Sequence, residues 1–145
     1  MNDDDDARLD LADPKLAGVY FVTEDDLDTL ATATTESRLL LRRLDLQTCH
    51  GKSALLQQLA QVLTLPPGQG RNWDALNDQL RDLSWLPANG YVLLFAHAEA
   101  LRDADEAAFD TLLEILEQAS AAWQAQSVAF WVFLALPESD FPTTQ

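Results

Sequence analysis

Apolar residues fall into two kinds of pattern along this chain. Residues 17–22 (AGVYFV), 39–46 (LLLRRLDL), 91–96 (YVLLFA) and 128–136 (VAFWVFLAL) are apolar runs of strand length, and each reads as a strand. The runs 91–96 and 128–136 carry no polar interruption, as expected of interior strands in a parallel sheet, whereas Arg42, Arg43 and Asp45 mark 39–46 as only partly buried. Between these runs the apolar period changes to three and four. One helix is predicted over 25–34 behind Thr23 as N-cap, and a second over 52–63 on Leu55, Leu56, Leu59, Val62 and Leu63. A third begins at Trp73. A fourth, longer one is capped by Asp103 or Asp105 and buries Phe109, Leu112, Leu113, Leu116, Ala119 and Trp123, with Asp110, Glu114 and Glu117 facing water. Strands separated by helices predict an α/β fold: a small, mostly parallel sheet with right-handed crossovers, covered by helices.

The helix at Trp73 is where turn chemistry and charge coincide. Pro66, Pro67, Gly68 and Gly70 exclude helix interior, and Asn72 is placed to cap the helix that begins after it. Trp73, Leu76, Leu80 and Leu83 then form one apolar stripe at about 100° per residue. Asp74, Asn77, Asp78, Arg81 and Asp82 occupy the opposite arc. Carboxylates in the first turns of a helix gain from its dipole, but Asp74 and Asp78 are four apart and repel each other. Helix stability alone does not call for both. Arg81, three residues after Asp78, is positioned to relieve part of that repulsion, which is also what an ordinary solvated face would show.

Length and charge narrow the function. The chain has 145 residues, enough for one cored domain, predicted over 14–137 with an acidic disordered tail at 1–13 and a polar tail at 138–145. Its formal net charge of -15 disfavours nucleic acid and anionic membrane as partners and favours a basic protein surface. One cysteine, Cys49, precludes an internal disulfide, and no long apolar run occurs, so the expectation is a soluble cytoplasmic protein. Signs of catalysis are sparse. The histidines are His50 and His97, and no nucleophile elbow, P-loop, HExxH or CxxC pattern is present. His97 follows a predicted strand end, where α/β enzymes place functional groups, yet a lone histidine there is ordinarily structural. The acids match no calcium-loop spacing, and neither a metal nor another cofactor is expected. Three tryptophans fall on apolar faces, while Trp85, just before Pro87, is the one placed for partial exposure.

The motif GRNWDALNDQLRDL, preceded by a helix ending in LTLP and followed by the strand YVLLF, resembles the barstar family of ribonuclease inhibitors over about residues 39–136. The resemblance rests on Gly70, Asn72, Asp74, Ala75, Leu76, Asp78 and Leu80, and leaves an additional strand and helix at the N-terminal side. It implies that the loop and the start of this helix plug the active site of a secreted, basic ribonuclease, with Asp74 and Asp78 meeting its phosphate site. An acidic position on the last helix of the family corresponds to Gln118, beside Glu117. Departures are visible as well. Gly68, Gln69 and Asn77 stand where the family's prototype carries aromatic residues, and Arg81 adds a positive charge.

The function expected from the resemblance is a monomeric barstar-like inhibitor of a basic ribonuclease or nuclease toxin. Asp74 and Asp78 act as anion mimics, and Asn72, Asn77, Arg81, Gln118 and the loop residues Gln69 and Gly70 complete the binding surface. Paired carboxylates on a rigid helix suit a site that holds phosphate with Arg, Lys and His. The alternative is an acidic binding module for a basic partner that is not a nuclease. An enzyme is not expected.

Overall fold

The computed structural model describes residues 10–66 and 72–140. In chain order the elements are β1 (Val19–Val22), α1 (Glu24–Glu36), β2 (Leu40–Asp45), α2 (Lys52–Val62), α3 (Trp73–Leu80), β3 (Gly90–Ala96), α4 (Ala98–Ala104), α5 (Glu106–Gln124) and β4 (Ala129–Ala135), followed by a single 3-10 turn at Glu138–Asp140. The four strands form one wholly parallel sheet in the order β1-β4-β3-β2. The two strands without polar interruption are the interior pair, and Arg42 and Arg43 lie on an edge. This is the α/β architecture expected, and β1 and α1 are the additional N-terminal strand and helix.

Register explains how both faces become apolar. Tyr91, Leu93 and Phe95 share a face with Phe130, Val132 and Leu134, and α2, α3, α4 and α5 pack on it. Val92 and Leu94 share the other with Trp131 and Phe133, and α1 covers it through Leu27, Leu30 and Ala31. One handedness of crossover requires this division. The β1-to-β2 connection runs across the sheet in one direction, and the later connections return in the other, so their helices must lie on opposite faces.

Local signals place most element ends. Thr23 caps α1 and its backbone N–H donates to Asp26 Oδ2 at 3.1 Å. At the end of α2, Thr64 takes a left-handed φ of 53° and the Leu65 N–H reaches back to the Ala60 carbonyl at 2.9 Å, a Schellman closure. Three features were not foreseen. A short helix, α4, precedes the long one, so that Asp105, one of the two residues expected to cap the long helix, also ends the short one while accepting from the Ala108 N–H at 3.1 Å. Leu83, the last residue of the predicted stripe, lies past the end of α3 in a turn at φ 48°, although it is buried. Leu11 is buried too, and its carbonyl accepts from the Trp131 indole at 2.8 Å.

Candidate functional site

The helix that carries the candidate residues is short. α3 has eight residues, and two turns of helix do not sustain themselves in water. Its position is set by hydrogen bonds at both ends. At the start, Asn72 is extended and its Oδ1 accepts from the Ala75 N–H at 2.8 Å. On the buried side, Gln79 is 3% exposed and its Nε2 donates to the Pro66 carbonyl at 3.3 Å, tying the helix to the chain that enters the preceding loop. At the far end, the Trp123 indole of α5 donates to the Leu80 carbonyl at 2.8 Å. Trp73 is half-buried beneath the Lys52 ammonium, which lies 5.6 Å from its ring centroid.

Anchored from behind, α3 turns its polar arc outward. Asp74 and Asp78 are both exposed, one turn apart on that arc. Arg81 Nη2 meets Asp78 Oδ1 at 3.0 Å, and Arg81 Nε donates to the Asn77 carbonyl at 3.3 Å. Asn77 Nδ2 donates to Gln118 Oε1 at 3.3 Å and so joins α3 to α5, while Asn77 Oδ1 is buried without a partner among the described residues. Asn77, Asp78, Arg81 and Gln118 are thus joined by hydrogen bonds across α3 and α5, with Asp74 one turn before Asp78 and Asn72 at the start of the helix. Gln69 and Gly70 fall outside the described residues.

Gln79 is the site-building residue that pattern reading missed. It sits between Leu76 and Leu80 on the apolar side of the helix, and a lone amide on that arc was the available signal. Trp85, placed by the sequence for partial exposure, is half-buried, and its indole donates to the Leu63 carbonyl at 2.9 Å. Together Trp85 and Trp123 satisfy carbonyls at the ends of α2 and α3 that helices leave orphaned.

The other titratable groups belong elsewhere in the fold. His97 stands between β3 and α4 at φ 55°. Its backbone N–H donates to Glu24 Oε2 at 2.8 Å, and its Nδ1 lies 3.0 Å from Asp45 Oδ1. That hydrogen bond to Asp45 is the main cause holding the imidazole pKa above its usual value. The Gln47 N–H, more than His97, holds the Asp45 carboxyl below its own. These contacts tie together the carboxyl ends of β2 and β3 and the start of α1. Burial pushes the Cys49 thiol up, away from reactivity. Among the described residues no group of His, Cys, Asp and Glu is arranged to hold a metal ion. No described helix is long and apolar enough to cross a membrane.

A family model described as "Barstar (barnase inhibitor)" matches residues 39–135, which include α3, α5 and three of the four strands. No curated protein matches the chain significantly. Among solved structures, a chain in "Structure of Drosophila ORC bound to DNA" superposes with a TM-score of 0.52 at 18% identity, covering 88% of this chain and 34% of that one. This chain thus spans about a third of the length of that relative. The likeness is one of fold alone.

Proposed function

Because the chain belongs to the barstar family, described as barnase inhibitors, we propose that it binds a basic ribonuclease or nuclease toxin and blocks its active site with α3 and the loop before it. The observation that carries this reading is the contrast between the two sides of α3. Asp74 and Asp78 are exposed, while Asn72, Gln79 and Trp123 hold the helix from its ends and rear. A carboxylate pair that need not be ordered on binding is suited to a site built to grip phosphate. The Asn77–Gln118 bond extends the contact surface to α5, and Gln69 and Gly70 would line the entering loop. Formal net charge of -15 speeds approach to a basic enzyme. Such an inhibitor acts in the cytoplasm as an immunity protein, one copy per nuclease.

The Asp78–Arg81 pair favours a second reading, since one oxygen of Asp78 is already engaged by a cation that a basic active site would repel. In that reading the same face docks a basic protein that is not a nuclease. Calorimetric titration of candidate ribonucleases and nuclease-toxin domains, at low and moderate salt, decides between them. Tight, salt-sensitive binding with loss of RNA cleavage, abolished in Asp74→Ala/Asp78→Ala, is the expected result. Binding unchanged in that variant refutes the placement of the site, and failure of every nuclease to bind shifts the search to other basic proteins.

A further inference from the structure

The outer edge of the sheet has no part in the inhibitor reading, and β1 lies outside the family-matched residues. Among the described residues β1 pairs on one side only, with β4. The Gly18 and Val22 carbonyls accept from Val132 and Leu136 N–H at 2.9 and 2.8 Å, so every second residue of the strand turns its backbone groups inward. The N–H and C=O of Val19 and Phe21 therefore point away from the sheet, and no described strand meets them.

Side chains make this edge apolar as well as unpaired. Leu16, Tyr20 and Phe21, at 42%, 39% and 44% exposure, are the exposed large hydrophobic residues among those described. Tyr20 stacks on Trp131 and Phe133 on the α1 side, and Phe21 stacks on Phe109 on the α5 side, so each face of the edge carries a fixed aromatic ledge. On the α1 side the ledge opens into a groove of about 250 Å³ between Tyr20, Val22, Leu30 and Phe133, with Asp26 at its rim. Edge strands are ordinarily blunted by lysine, proline or a bulge, and Val19–Val22 has neither charge nor proline. Carboxylates gather at its C-terminal end, where Glu24, Asp25 and Glu138 border an adjoining groove.

We propose that β1 is a docking edge that takes an extended segment of a partner protein by strand addition, the segment bearing apolar residues at alternate positions and Lys or Arg beside Asp25, Asp26 and Glu138. Backbone bonds to Val19 and Phe21 supply the pairing, the ledges of Tyr20 and Phe21 receive the alternating side chains, and the carboxylates select for the basic end. Charge argues against a second copy of this chain as occupant. A copy would carry its own formal net charge of -15 and the same carboxylates against this end of the strand.

The test uses the full chain and fluorescein-labelled peptides of alternating Val and Thr with a Lys-Arg-Lys cluster at either end. Controls replace the cluster with Glu or interrupt the run with Pro. Anisotropy should show saturable binding of a basic peptide, at least about tenfold weaker for both controls. It should also weaken about tenfold in Val19→Pro, which removes an outward N–H and spares the bonds to β4, and in Asp25→Lys/Glu138→Lys. Amide NMR shifts should be confined to β1 and the first turn of α1. If Val19→Pro does not fold, Tyr20→Lys/Phe21→Lys, at exposed positions, gives the same reading. Absence of binding, equal binding of the Glu peptide, or shifts centred on α3 would overturn the proposal. So would self-association in sedimentation that Tyr20→Lys/Phe21→Lys abolishes, which assigns the edge to a second copy. Nuclease binding through Asp74 and Asp78 is unaffected by these variants, so the two surfaces stand or fall separately.

Discussion

Replacing Trp123 with Phe tests whether α3 is held in place by its neighbours. Trp123 is 9% exposed and its indole N–H donates to the Leu80 carbonyl at 2.8 Å, beside a Leu80 side chain that is fully buried. Phe keeps an aromatic ring at the site but removes the donor. A buried carbonyl left without its partner costs about 1–3 kcal/mol. The space vacated by the smaller ring adds on the order of 1 kcal/mol. The expected loss is therefore about 2–4 kcal/mol, a sizeable share of the roughly 5–15 kcal/mol that holds a domain folded, yet not enough to unfold it. Urea unfolding followed by far-ultraviolet circular dichroism measures that loss. Trp131→Phe is the matched control, because it too removes a buried indole-to-carbonyl bond, the 2.8 Å contact with Leu11, but on the opposite face of the sheet. Both variants should be destabilised. Only Trp123→Phe should raise amide hydrogen exchange in α3 beyond the global change and weaken capture of a nuclease. A loss below about 0.5 kcal/mol, or identical α3 exchange in the two variants, would show that α3 does not depend on this tie.

Thr64→Gly should stabilise the protein by about 0.5–1 kcal/mol in urea unfolding, because a β-branched residue occupies φ 53° at a helix end that glycine adopts without strain. Gly90→Ala should destabilise it by about 1–3 kcal/mol, since a Cβ there would come within 2.7 Å of Leu39 Cδ2 and 3.0 Å of the Ala129 carbonyl on an interior strand. The His97–Asp45 pair predicts a pH dependence with opposite signs at its two ends. The raised imidazole pKa makes its contribution complete below the ordinary value of 6.5 and lost as pH rises through the higher folded value. The lowered Asp45 pKa makes its contribution present above 3.8 and lost as pH falls through the folded value. The exposed pair is worth about 0.2–1 kcal/mol, so the advantage of wild type over His97→Asn, present below the ordinary value of 6.5, should shrink by up to that amount as pH rises above it in thermal melts. Arg81→Ala, which frees the second oxygen of Asp78, should tighten binding to a basic nuclease about threefold to tenfold in low-salt calorimetry, and weaker binding would mean that Arg81 itself contacts the partner.

Chain-local physics was legible and long-range assembly was not. Thr23, Asn72 and Asp105 act as helix caps, as their side chains and positions suggested, and the uninterrupted runs became the two interior strands. The helix bearing Asp74 and Asp78 was visible from its stripe, but its end was not. Leu83 continues the helical spacing while the backbone leaves the helix at φ 48°, because burial of a side chain does not require a helical backbone. α4 escaped notice since its seven residues offer too few apolar positions for a period to show. The contacts that make the site rigid, Gln79 to Pro66, Asn77 to Gln118 and Trp123 to Leu80, join residues 13, 41 and 43 positions apart. No spacing rule reaches that far. Gln118 entered the candidate set only through the family resemblance.

Strand order also governs when the molecule can be completed. Of the described strands β1 is made first and pairs only with β4, the last of them, Val19 meeting Val132 across more than a hundred residues of intervening chain. Closing a loop of that length costs about 4 kcal/mol in chain entropy before any contact repays it. A nascent chain on the ribosome can therefore assemble β2 and β3 with α2 and α3 between them while β1 is still waiting for its neighbour. β1 emerges before the rest of the sheet yet is among the last strands to be seated, and any truncation before Ala129 leaves it without its neighbour. The sheet thus closes with a clasp, in which β1 and α1 fold over strands that the family-matched residues have already laid down.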